Sequence, residues 1–98
     1  SFKKEPNLKF HLLATLLVII AGFFLKISER DWIIVVILIG LVVSVELTNT
    51  AIEAVVDAFT EKEHPGAKLA KDISAGAVLV VSITAAAVGV IVFLHYLT

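Results

Sequence analysis

The chain has 98 residues, 59% of them hydrophobic and 17% charged, with a formal net charge of -1; that balance is too apolar for a water-soluble domain of this length. Its Lys and Arg residues are scattered rather than clustered, so no basic face exists for nucleic acid. The absence of Cys excludes a disulfide framework, a thiolate nucleophile and thiolate metal ligands, leaving oxygen and imidazole as the donors available to any metal.

Three apolar blocks follow in chain order: Leu12 to Leu25, extended by Leu8 and Phe10; Trp32 to about Phe59, with polar interruptions in its second half; and about Ile73 to Leu97. A hydrocarbon core takes about 20 helical residues at about 1.5 Å each. The blocks therefore predict an all-α integral membrane protein: one domain whose three transmembrane helices span about residues 8–26, 32–59 and 70–97. Pro65-Gly66 marks a helix break between the second and third spans. Asp31 is placed to cap the second helix and Trp32 to anchor it at the outer interface. In the third block, Ala85 and Gly89 form a small-residue pair that permits close helix packing, and the Ser82 and Thr84 hydroxyls are expected to bond to backbone of their own helix.

An odd number of spans puts the termini on opposite sides. Lys3, Lys4, Lys9, Lys62, Lys68 and Lys71 then share one side, against Lys26 and Arg30 on the other, and the positive-inside rule makes the lysine-rich side cytoplasmic. A membrane location with a cytoplasm-facing site is expected.

The second span carries the chemistry. Stepping at about 100° per residue, Glu46, Asn49, Glu53 and Asp57 fall within an arc of about 80°, with Thr50 on its edge. Each intramembrane carboxylate costs roughly 2.5–3.5 kcal/mol on insertion scales, so this stripe is expected to face protein or a ligand rather than lipid. Because three helices of one chain are not expected to enclose it, an oligomer is predicted. Counted from Trp32, Glu46 lies about 21 Å in and Glu53 about 31 Å in, near the cytoplasmic boundary. Glu5, Lys9, Lys71 and Asp72 reach the same layer. Carboxylates that can hold Mg²⁺, a lysine that can neutralise a phosphoryl group and a carboxylate that can accept a hydroxyl proton make this layer a candidate phosphoryl-transfer site. The glycine-rich phosphate loop and the protein-kinase motifs are absent.

The run Glu46-Leu-Thr-Asn49-Thr-Ala-Ile-Glu53-Ala-Val-Val-Asp57, followed by His64-Pro65 and Ala70-Lys71-Asp72, resembles the signature of the prokaryotic diacylglycerol kinase family. The resemblance implies a homotrimer with active sites shared between subunits, ATP and Mg²⁺ as cofactors, a lipid alcohol as substrate, and an amphipathic helix before the first span. Position by position it implies Glu46 as proton acceptor, with Glu46 and Glu53 both open as the base. It further implies Asn49 in support, Glu5 and Glu53 on metal and nucleotide, and His64, Lys71 and Asp72 on ATP. Leu8, Lys9, His11 and Trp32 join Glu46 on the lipid side. Asn7-Leu-Lys-Phe-His11 and His64-Pro65 resemble the Gram-positive type, which takes undecaprenol; the enterobacterial type takes diacylglycerol.

Plainer readings stand beside these. Glu46, Asn49 and Glu53 could form a buried network that fixes helix register. Glu5 alone would be a solvated interfacial charge, Lys71 a positive-inside lysine, and Asp72 a first-turn acid complementing the helix dipole. His11 and His95 read on their own as interfacial polar groups. A different class, a small proton-coupled transporter, would want its carboxylate near mid-bilayer with access to both sides. The gathering of charge on one side fits a kinase better.

Overall fold

A computed structural model describes residues 6–59 and 64–98, with side chains from residue 9 onward and outside 60–63; Glu5, Lys62, Glu63 and the side chain of Leu8 lie outside the described part. The described residues form three helices, α1 (Pro6–Leu25), α2 (Glu29–Phe59) and α3 (Pro65–Leu97). The molecule measures 53 × 21 × 18 Å, a rod longer than the roughly 30 Å of a hydrocarbon core. Two helices, α2 and α3, are long and apolar enough to cross a membrane; the apolar part of α1 runs from Lys9 to Leu25.

Local sequence explains the boundaries. At the end of α1, Ile27 N–H donates to the Gly22 carbonyl at 3.2 Å and Lys26 N–H to that of Phe23 at 3.3 Å, with Lys26 at φ 53°. This is the paired C-terminal pattern of a Schellman turn, with lysine in the left-handed position usually given to glycine. Ile27 is buried and closes the turn. The helix α2 then begins at Glu29, three residues before Trp32, and Ser28 is its cap: the Asp31 N–H donates to Ser28 Oγ at 3.2 Å. Asp31 does not cap α2, because its carboxylate accepts a hydrogen bond from the Tyr96 hydroxyl instead. Pro65 and Gly66 open α3 rather than preceding it, since proline at the first helical position gives up an N–H that has no partner there anyway.

Helix α3 runs antiparallel along α2, pinned at one end by Tyr96 to Asp31 and at the other by Lys71 to Asp57. Contact between α1 and α2 is sparser and concentrates at the Gly22 and His11 levels. At the first, Trp32 packs over Gly22 and Phe23, its ring 4.9 Å from that of Phe23.

The exterior is apolar and the interior partly polar, the reverse of a soluble protein. Phe24, Phe59, Leu97 and many Val, Ile and Leu side chains are exposed, while Glu46 at 1%, Asn49 at 8% and Ser74 at 8% exposure are among the few buried residues. Such an exterior is stable only in lipid. One chain therefore encloses the deep half of the polar stripe, Glu46 and Asn49, while Glu53 stays half-buried and Asp57 exposed. The reason is α3, whose small Ser74 lets it approach α2 closely at that level. Gly89, by contrast, takes no part in close packing within the chain: a Cβ there would meet nothing within 4 Å.

Candidate functional site

The polar groups form a column down one face of α2. At its deep end the Glu46 carboxylate meets α1, with Oε2 2.5 Å from Nδ1 of His11, which is 15% exposed. Both atoms are buried, and neither makes a hydrogen bond of regular geometry. The other ring nitrogen of His11, Nε2, lies 3.4 Å from Ser82 Oγ on α3. His11 is thus drawn inward to a carboxylate rather than standing at the interface as a free polar group. Ser82 likewise faces the neighbouring helix, whereas Thr84 bonds to the Val80 carbonyl of its own helix at 2.9 Å, as expected.

One turn nearer the α2–α3 loop, Ser74 Oγ donates to Asn49 Oδ1 at 2.6 Å, both residues buried. This bond fixes the Asn49 amide and joins α2 to α3. A further turn on, Glu53 is half-buried, and beyond it the Lys71 ammonium donates to exposed Asp57 Oδ1 at 2.9 Å. Glu53 and Asp72 also act electrostatically on that ammonium. His64 caps α3, its Nδ1 accepting from the N–H groups of Gly66 at 3.0 Å and Ala67 at 3.2 Å. Because Nδ1 accepts, the ring proton sits on the outward Nε2.

Sequence-predicted residues therefore divide by place. Glu46, Asn49, Glu53 and Lys71 follow one another along the α2–α3 seam, and His11 joins them from α1. Asp72 is exposed beside Lys71. Lys9 stands two residues before His11, and Trp32 lies at the opposite end of α2 from Glu53. Sequence reasoning missed Ser74 and the pairing of Asp57 with Lys71. Ser74 was findable, since it lies three residues after Lys71 and so on the same face of α3.

Above Glu46 the same face of α2 becomes apolar. Val35, Leu38, Ile39 and Val42 floor a groove of about 510 Å³ between α1 and α3, walled by Phe10, Ala14, Val18, Ala85, Gly89 and Phe93. The small pair of α3 makes room for this groove instead of for a helix. His11 and Ser82 also line it, so the apolar slot borders the histidine that contacts Glu46, the one buried carboxylate among the described residues.

Comparison with known proteins places this arrangement. Residues 1–93 match the family description "Prokaryotic diacylglycerol kinase". The chain belongs to that family. It is 46% identical over 92 residues to the undecaprenol kinase of Bacillus subtilis, covering 94% of this chain and 75% of that one. It is 37% identical over 90 residues to a diacylglycerol kinase of Synechocystis, covering 91% of this chain and 51% of the relative. A diacylglycerol kinase of Pseudomonas aeruginosa is 38% identical over 79 residues, 79% of this chain and 63% of the relative. No solved structure matches significantly. The family assigns the chain to the lipid kinases, and the transporter reading loses its ground.

Proposed function

We propose that the protein is a lipid kinase that transfers the terminal phosphoryl group of ATP, with Mg²⁺, to the hydroxyl of undecaprenol at the cytoplasmic face of the membrane, giving undecaprenyl phosphate. The observation that carries this is Glu46, 1% exposed, at the deep end of the polar column and in contact with His11 of the apolar groove. A lipid alcohol has the same division, with a hydrocarbon chain for the groove and a hydroxyl for the carboxylate. The name of the Bacillus relative favours undecaprenol; the names of the other two keep diacylglycerol as the second reading.

In this reading Glu46 accepts the hydroxyl proton as the oxygen attacks phosphorus and the phosphorus bond to the nucleotide breaks. Asn49, held by Ser74, supports the reacting group. Glu53 and Glu5 hold the metal, and His64, Lys71 and Asp72 bind ATP. Leu8, Lys9, His11 and Trp32 line the path of the lipid. The donor set fits a metal brought with a nucleotide rather than a standing metal centre. Among the described residues no three acidic or imidazole groups converge, while Mg²⁺ is commonly held by one or two carboxylates plus substrate phosphates. When bound, Mg²⁺ neutralises charge on the phosphates. Three spans, a cytoplasmic site and a homotrimer with shared sites complete the proposal.

The test is ATP- and Mg²⁺-dependent phosphate transfer by lipid-reconstituted protein to undecaprenol and, in parallel, to diacylglycerol, with Glu53→Gln as control. Transfer to undecaprenol that disappears in the variant supports the proposal; transfer to diacylglycerol alone reverses the substrate; transfer to neither by folded protein sinks the reading.

A further inference from the structure

The geometry points to His11 as the positioning residue of Glu46: it holds the carboxylate through an Nδ1–H donor, and Ser82 fixes the tautomer that makes this possible. The inference rests on the proposed role of Glu46 as proton acceptor. A carboxylate on a helix inside a membrane is ordinarily held by partners on neighbouring helices, and the described structure gives Glu46 one such partner across to α1, 2.5 Å away. The His11 Nδ1 and Glu46 Oε2 atoms are both buried and neither makes a hydrogen bond of regular geometry, so their 2.5 Å approach is the one contact that can satisfy either atom.

The chemistry of the ring settles which atom carries the proton. To serve as a base, Glu46 must begin as a carboxylate, which only accepts hydrogen bonds; the facing Nδ1 must then donate. In a neutral imidazole the remaining Nε2 is an acceptor, and Ser82 Oγ, 3.4 Å away, supplies a hydroxyl that can rotate to donate to it. The order from α3 to α2 is therefore hydroxyl, imidazole, carboxylate, with each donating to the next. This is the arrangement in which a second group fixes the orientation and tautomer of a proton-transfer pair. The pair carries one negative charge before the substrate proton arrives and none after it. His11 lines the groove and touches Glu46, so fixing the carboxylate rotamer fixes where a hydroxyl must come.

Three measurements on the reconstituted full chain test this. His11→Ala is expected to lower kcat for lipid phosphorylation by roughly 10- to 100-fold, the scale of a misplaced catalytic group, with KM for ATP within about twofold of wild type. His11→Asn, whose amide nitrogen falls near the Nδ1 position, is expected to recover most of the lost kcat because it keeps a donor there. A merely structural histidine gives no such recovery. Nitrogen NMR of labelled histidine in wild type is expected to show His11 as the Nδ1–H tautomer, and Glu46→Leu is expected to abolish that signature. A kcat unchanged in His11→Ala, no recovery in a folded His11→Asn, or an Nε2–H tautomer in wild type overturns the proposal. If wild type phosphorylates no lipid alcohol, the proposed function fails by itself, and the tautomer measurement still decides the pairing.

Discussion

At the scale of single residues, the site depends on polar atoms paired between helices. Asn49 Oδ1 is buried and receives the Ser74 hydroxyl at 2.6 Å. Ser74→Ala removes that donor and leaves the amide oxygen unsatisfied, and interhelical bonds in membranes are worth about 0.6 kcal/mol on average and about 1.7 at most. Thermal or denaturant unfolding in detergent should register a loss in that range, with a fall in kcat as Asn49 loses its orientation. Asp57 has a different kind of role, since it is exposed and holds the Lys71 ammonium at the end of α2 opposite Trp32. If Lys71 binds the phosphates of ATP, Asp57→Asn frees its side chain from a fixed place, and the expected result is a several-fold rise in KM for ATP with kcat nearly unchanged. An unaltered KM would separate this ion pair from nucleotide binding. The acidic stripe was legible in the sequence because four polar residues recur on one helical face amid apolar ones. The partners were not, because pairs such as His11 with Glu46 and Ser74 with Asn49 join residues on different helices, and periodicity within a helix carries no information about its neighbours.

At the scale of elements, the bundle is controlled where helices end and where they touch. The turn after α1 places Lys26 in the left-handed region, a conformation that costs a side-chain-bearing residue roughly 1 kcal/mol relative to glycine. Lys26→Gly should therefore raise stability by up to about 0.5 kcal/mol, the part of that cost not offset by glycine's greater freedom in the unfolded chain. A decrease in unfolding stability would contradict the strain. A few residues away, an added Cβ at Gly22 would lie 2.6 and 2.8 Å from atoms of the Trp32 ring, so even alanine must displace the indole. Trp32 is the single tryptophan of the chain, and its fluorescence reports the change directly. Gly22→Leu should shift the emission and weaken the α1–α2 contact, while Gly40→Ala, where nothing lies within 4 Å, should do neither. Helix existence was readable from three apolar blocks, but helix starts were not. The α2 start fell at Glu29 because Ser28 outcompetes Asp31 as cap once Tyr96 engages the Asp31 carboxylate. That engagement is a contact across 65 residues of sequence, invisible to local pattern.

At the scale of the whole molecule, the open matter is how α1 lies. Helices α2 and α3 exceed the membrane thickness, whereas α1 has 20 residues and an apolar part from Lys9 to Leu25. At about 1.5 Å per residue the full helix measures about 30 Å, just the depth of the hydrocarbon core. Two contacts favour a spanning α1. Its Gly22 meets Trp32 near the start of α2, and its His11 meets Glu46 fourteen residues later, so α1 lies antiparallel to α2 over much of the span rather than folding away. The chain contains no Cys, which makes single-cysteine labelling unambiguous. Cysteines placed at Lys9, Arg30, Lys68 and Thr98 should divide into two pairs. Arg30 and Thr98 should react with a membrane-impermeant maleimide added outside right-side-out vesicles, and Lys9 and Lys68 only after permeabilisation. If Lys9 reacts together with Arg30, α1 enters and leaves on one side. In that case Glu46 would lack a membrane-spanning neighbour at His11, and the enclosure of the carboxylate by a single chain would fail with it.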